Sequence, residues 1–177
     1  MKRGFALAGL ALLACSTLAG CAQSHASPAP ASHGPRYPAG KLYDPQADAE
    51  KVLAATRASA VVGGKPLLVV FGANWCHDSR ALAEALTQGE TGAFAQEHFE
   101  VLFIDVGTPQ IGKGRNLGLA TELGVEDIEG TPTLVALGPD GALLNGDSAK
   151  GWRNAASRSE AEIMAALEGF VAAGEYQ

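Results

Sequence analysis

Three short apolar runs constrain this chain more than any other feature: Pro66–Phe71 (PLLVVF), Phe99–Val106 (FEVLFIDV) and Thr133–Leu137 (TLVAL). They are too short for buried helices and do not alternate, which is the pattern of strands covered on both faces. Helical stretches lie between them. Asp44-Pro45 reads as an N-cap followed by proline at the first helical position, opening a helix to about Ala60 with Val52, Leu53 and Thr56 on one side; Gly63-Gly64 ends it. Cys76 to about Gln88 carries Ser79, Leu82 and Leu86 at helical spacing, and a short helix is expected over Thr91–Glu97. Asn116–Leu123 is a further short helix, closed by Gly124. Pro139-Asp140-Gly141 marks a turn, after which Ala142–Leu144 is expected to start an antiparallel edge strand. Ser159-Glu160-Ala161-Glu162 fits a capping box, and Ile163, Leu167, Phe170 and Val171 form the buried stripe of the helix that follows. Parallel βαβ units followed by a hairpin and a helix imply an α/β chain, a three-layer α/β/α sandwich with a mixed central sheet. No internal repeat is evident.

The 177 residues allow one domain, with two small ones as the limit, and the 47% hydrophobic content is enough for one core. Formal net charge is −6, from 13 basic and 19 acidic residues, which leaves no basic excess for nucleic acid. Three cysteines are too few for a disulfide scaffold or an all-cysteine zinc site. After residue 20 no apolar run is long enough to span a membrane.

Residues 1–20 read as an export signal rather than a short buried helix: Lys2 and Arg3 form a positive start, Phe5–Leu18 is apolar, and the end is small. Leu18-Ala19-Gly20-Cys21 resembles the lipobox of bacterial lipoproteins; the alternative is ordinary signal cleavage near Ala22 or Ala26. The resemblance implies lipidation of Cys21, which becomes the first mature residue. It also implies a bacterial cell-envelope location, lipid-anchored, with Ala22 leaning toward the outer membrane facing the periplasm. Cys15 then leaves with the signal, Cys76 becomes the one free thiol, and 11 basic residues remain against 19 acidic. Residues 21–42 are the lipidated cysteine and a Pro/Ala/Ser-rich tether with four prolines, whose His25 and His33 read as solvated bystanders. The domain proper is expected over 43–177.

The chemistry concentrates at Trp75-Cys76-His77-Asp78-Ser79, where a strand gives way to a helix. A thiol at a helix start meets the positive end of the dipole and unpaired backbone N–H groups, and both favour thiolate. A protonated His77 would add to this, and Asp78 opposes it. A structural buried cysteine stays open as the alternative.

Here the chain resembles the thioredoxin superfamily, nearest to its periplasmic thioredoxin-like branch. Leu68–Cys76 (LVVFGANWC) is similar to that family's strand and active-site loop, Gly130-Thr131-Pro132-Thr133 to its cis-proline loop, and Pro139-Asp140-Gly141 to its hairpin turn. Ile104-Asp105-Val106-Gly107 is also similar, and the likeness covers about residues 45–175. The resemblance implies a thioredoxin fold, with Cys76 as the nucleophile of a mixed disulfide and Pro132 as the cis-proline beside it. It further implies that the Thr131 backbone pairs with an extended client peptide, and that Trp75 is the aromatic flanking the site.

Three departures follow. Ser79 stands where dithiol members carry the second cysteine, so no internal dithiol cycle is possible. Val70 stands six residues before Cys76, where a buried aspartate is common, and Val101 where a lysine is common. Ser79 can instead donate a hydrogen bond to the Cys76 thiolate.

The Cys-x-x-Ser site thus implies an enzyme, a monothiol thiol-disulfide oxidoreductase or isomerase. Its partners would be client proteins bearing thiols or disulfides, with glutathione or a dithiol reductase as the releasing thiol, and no cofactor. The competing reading is a redox-inactive module that binds peptides or proteins in the same groove. Gly107–Gly114 (GTPQIGKG) lacks the Ser/Thr that a phosphate loop needs after its lysine and reads as a flexible loop. Cys76 and His77 alone are too few to hold a metal, and no metal site is expected. Asp105 and Glu100 read as solvent-facing carboxylates, and Trp152 as a local packing residue.

Overall fold

The structure, a computed structural model, describes residues 42–175. The expected export signal, Cys21 and the expected tether up to residue 41 lie outside the described residues.

β1 (Leu67–Gly72) is buried along its whole length and forms the middle of a three-stranded sheet. β2 (Glu100–Asp105) runs parallel to it, with Leu67 opposite Glu100 and Gly72 opposite Asp105. β5 (Thr133–Leu137) runs antiparallel on the other side, with Phe71 opposite Thr133 and Leu67 opposite Leu137. The sheet is therefore mixed, as the three runs imply.

Alternate side chains of β1 feed two cores, as the two-residue period of a strand dictates. Val69 and Phe71 pack with Ile104, Val135 and Leu137 beneath α1 (Ala49–Gly63) and α4 (Leu117–Glu122). Leu68 and Val70 pack with Phe103, Leu134 and Ala136 beneath α2 (His77–Ala85), α3 (Gly89–His98) and α5 (Glu160–Glu175). Helices on both faces complete the three-layer sandwich. Burying each Val, Leu, Ile or Phe side chain among these contributes roughly 1.5–3 kcal/mol.

Helix ends largely follow the sequence. Gly64 closes α1 at φ +61, in the left-handed region that glycine adopts without strain. The capping box forms at α5: the Glu162 carboxylate accepts from Ser159 N at 2.7 Å, and Glu162 N donates to Ser159 Oγ at 3.3 Å. The Ser159 N–H, and the Ser159 hydroxyl that donates to the same carboxylate at 2.8 Å, hold the Glu162 carboxyl below its ordinary pKa. Ile163 and Leu167 are buried, and Phe170 and Val171 are partly so.

Four expectations are corrected. α1 starts later than Asp44-Pro45 suggests: Asp48 is its N-cap, accepting from Lys51 N at 3.1 Å. Asp44 instead accepts from Gln46 N at 2.9 Å and closes a local turn, and Val52 is exposed. The helix expected over Cys76–Gln88 breaks after Ala85, and α3 begins at Gly89, whose φ is +65. The loop 107–114 is a small hairpin of β3 (Gly107–Thr108) and β4 (Lys113–Gly114), closed by a 3-10 turn over Pro109–Ile111. The edge strand Ala142–Leu144 shrinks to one bridge, Leu137 to Leu143. Asn145 explains that last difference. Its buried amide accepts from Ala136 N and donates to Leu134 O, both at 2.8 Å, so one side chain takes the backbone positions that a fourth strand would fill.

Candidate functional site

β1 ends at Gly72, and its continuation is a tight loop held from several directions. Cys76 N donates to Ala73 O at 3.1 Å and closes the turn. Arg80 reaches back one helical turn, donating to Asn74 O at 3.0 Å and Trp75 O at 3.3 Å. The Trp75 indole donates to Gly107 O at 2.9 Å, so the β3–β4 hairpin supports a ring that remains 50% exposed. Asp105 steadies that hairpin, accepting from Gly107 N at 2.9 Å and pairing with Arg115 at 3.3 Å. At 7% exposure Asp105 is a buried structural carboxylate, contrary to the solvent-facing reading.

Cys76 is the N-cap of α2, with extended dihedrals (φ −82, ψ 124), and its carbonyl accepts the first helical bond from Arg80 N at 3.1 Å. Its Sγ lies 3.5 Å from Thr131 O, to which the thiol donates. The Thr131–Pro132 peptide is cis. The structure thus brings Trp75, Cys76, Ser79, Thr131 and Pro132 together. Residues that are 55 apart in sequence meet at one sulfur.

Cys76 is 7% exposed. Burial pushes its thiol pKa up. The Ser79 and Thr131 side chains and the backbone N–H groups of Ser79 and Asp78 pull it down and prevail, leaving it below its ordinary value. The thiol's bond to the Thr131 carbonyl favours the protonated form and opposes that trend; it is lost on ionisation, while the converging donors gain.

Ser79 is fully buried, and its Oγ has no hydrogen bond of standard geometry in this thiol form. Its backbone carbonyl accepts from the Tyr43 hydroxyl at 2.9 Å. Tyr43 was not singled out by the sequence: it lies next to the tether, before the first helix, where periodicity carries no information. The structure buries its ring beside Val70 and edge-on to Phe103, centroids 5.6 Å apart. Gly72 makes the room, because a Cβ there would stand 2.6 Å from the Tyr43 ring and 2.8 Å from Ser79 Oγ.

Neighbouring polar groups serve the scaffold. Asp78 accepts from Ala156 N at 2.9 Å, and its other oxygen lies 3.2 Å from the exposed His77. Val70 is wholly buried in apolar surroundings, and Val101 packs against the same cluster. Trp152 is buried with the Arg158 guanidinium 4.3 Å over its ring, a local packing role. Among the described residues no group of three or more His, Cys, Asp and Glu is placed to hold a metal ion. Nor is any helix among them long and apolar enough to cross a membrane.

Comparison with known proteins agrees with this geometry. The family model described as thioredoxin-like matches residues 48–139. A crystal structure of a disulphide isomerase from Xylella fastidiosa Temecula1 superposes with a TM-score of 0.63 at 35% identity, covering 71% of this chain and 93% of that one. No curated protein matches the chain. A mixed sheet between two helical layers, a cysteine capping the helix after β1 and a cis-proline facing its sulfur, taken with the family match over more than half its length, place this chain in the thioredoxin-like family.

Proposed function

We propose that the chain is a monothiol thiol-disulfide oxidoreductase or isomerase of the bacterial cell envelope, acting through Cys76. One observation carries the reading: the Cys76 sulfur lies at a helix start, 3.5 Å from the carbonyl before cis-Pro132, and the surrounding donors favour its thiolate. The disulfide isomerase named above, similar over most of both chains, supports it.

The chemistry is thiol-disulfide exchange. The Cys76 thiolate attacks one sulfur of a client disulfide. That S–S bond breaks, a Cys76–client disulfide forms, and the second client sulfur leaves as a thiolate. The described domain holds no other cysteine, so Ser79 cannot complete the exchange. Release comes from outside. A client thiolate attacking the client's own bridged sulfur returns Cys76 as thiolate and leaves a rearranged disulfide, with no net electron transfer. A glutathione thiolate attacking the Cys76 sulfur instead releases the client as a dithiol, reduced by two electrons; the Cys76–glutathione disulfide left behind is opened by a second glutathione thiolate, giving glutathione disulfide and the Cys76 thiolate, and a dithiol reductase supplies both thiols itself. An extended client strand would pair with the Thr131 backbone. Cys21, lipidated, would hold the domain at the outer membrane, facing the periplasm.

Two measurements test this. Alkylation of Cys76 should show a midpoint below that of a cysteine peptide, and mass spectrometry of cells should find mixed disulfides that vanish in Cys76→Ala. Full complementation of a deletion strain by Cys76→Ala would favour the redox-inactive binding module instead. Radiolabelled palmitate should label the wild type and not Cys21→Ala.

A further inference from the structure

Tyr43 stands outside the family match, which begins at residue 48, yet it bonds to the loop on both sides of the thiol. Ahead of Cys76, Tyr43 N donates to Asn74 Oδ1 at 3.3 Å and Asn74 Nδ2 donates back to Tyr43 O. Beyond Cys76, the phenol donates to Ser79 O at 2.9 Å. The ring lies in the slot left by Gly72, beside the Ser79 hydroxyl. Burial drives the phenol's pKa up, and the charge on Cys76 adds to that, so the phenol stays a donor across the working range.

We infer that Tyr43 is a positioning residue for the Cys76 thiolate: by bonding the Asn74 amide and the Ser79 carbonyl it fixes the first turn of α2 so that the otherwise unpartnered Ser79 hydroxyl faces the sulfur. The inference rests on the thiolate reading above. It assigns the segment just before the first helix to the redox site. The phenol itself donates to Ser79 O, so the effect inferred for it passes through the turn that aims the Ser79 hydroxyl.

Tyr43→Phe removes only the phenol oxygen and keeps the ring against Phe103, so the fold should persist, which circular dichroism would check. Iodoacetamide alkylation against pH is measured in the full chain for wild type, Tyr43→Phe, Ser79→Ala and the double variant. Tyr43→Phe should raise the Cys76 midpoint and slow alkylation at pH 7 about three- to tenfold, the scale of one hydrogen bond. In the Ser79→Ala background the same change should alter the rate by less than about 1.5-fold, since the effect inferred for Tyr43 passes through the Ser79 hydroxyl, which that background lacks. A low wild-type midpoint left unmoved by Tyr43→Phe overturns the inference and spares the proposed function. An ordinary wild-type midpoint overturns both. An equal slowing in both backgrounds, or loss of the fold, would mark Tyr43 as a structural residue only and overturn the positioning role.

Discussion

Ser79 and Thr133 are both fully buried, neither hydroxyl makes a hydrogen bond of standard geometry in the thiol form, and they stand on opposite faces of the central sheet. Ser79 lies on the face of Tyr43, Gly72 and Val70, one helical turn from the sulfur. Thr133 pairs in register with Phe71 and shares that residue's face with Val135, above α1 and α4. A buried hydroxyl without a partner costs about 1–3 kcal/mol. At Ser79 that cost has a return, because the neighbouring sulfur can become an anion and accept a hydrogen bond from the hydroxyl. Thr133 instead shares its face with the apolar Phe71 and Val135. The difference teaches that an unpaired polar atom is informative only through what stands beside it.

The largest test of the contrast is Ser79→Cys. It restores a dithiol spacing with Cys76 and should raise insulin-disulfide reduction from background by at least about tenfold, given how strongly exchange depends on an attacking thiol in place. No gain would show that the apolar surroundings of Val70 no longer support a resolving thiol. Next in size is Ser79→Ala, which should slow Cys76 alkylation at pH 7 about tenfold, one charge-assisted hydrogen bond being worth somewhat more than a pKa unit. An unchanged rate would make the two hydroxyls equivalent and end the comparison.

A smaller effect is read in stability. The folded thiol has a lowered pKa, so the fold binds thiolate better than the unfolded chain does. Reduced wild type should therefore gain melting temperature over Cys76→Ser as pH rises. The gain is fully present above the unfolded pKa of about 8.5 and disappears as pH falls through the folded value. A flat difference across that window would contradict the thiolate assignment. Smallest is Thr133→Val, which deletes an unsatisfied oxygen at nearly constant volume. Chemical denaturation should show a change near zero or a gain of up to about 1 kcal/mol, with Cys76 alkylation unaffected. A loss of stability would reveal a polar role for Thr133 and sharpen the contrast from the other side.

Much of this was legible in the residues. PLLVVF, FEVLFIDV and TLVAL became the three strands because continuous apolar runs suit a sheet covered on both faces. The capping box at Ser159 and the glycine stop at Gly64 are local chemistry, so sequence carries them well. Motifs named Trp75, Cys76, Ser79, Thr131 and Pro132, which the structure gathers around one sulfur. What escaped depended on distant partners. Asn145 displaces a strand only because its amide meets β5, and nothing in its neighbours predicts that. Asp105 looked like a strand-end charge until Arg115 and Gly107 closed on it. Tyr43 owes its place to a glycine 29 positions later and a serine 36 positions later, a correspondence that no window of periodicity can hold.

That placement of Tyr43 bears on proteolysis. Cleavage anywhere between the phenol and Asp48 would cut no helix or strand of the sandwich, yet would sever a buried ring from the core. The sulfur would lose a brace by the same cut, so a domain released at that point from whatever precedes it would be blunted by the act of release.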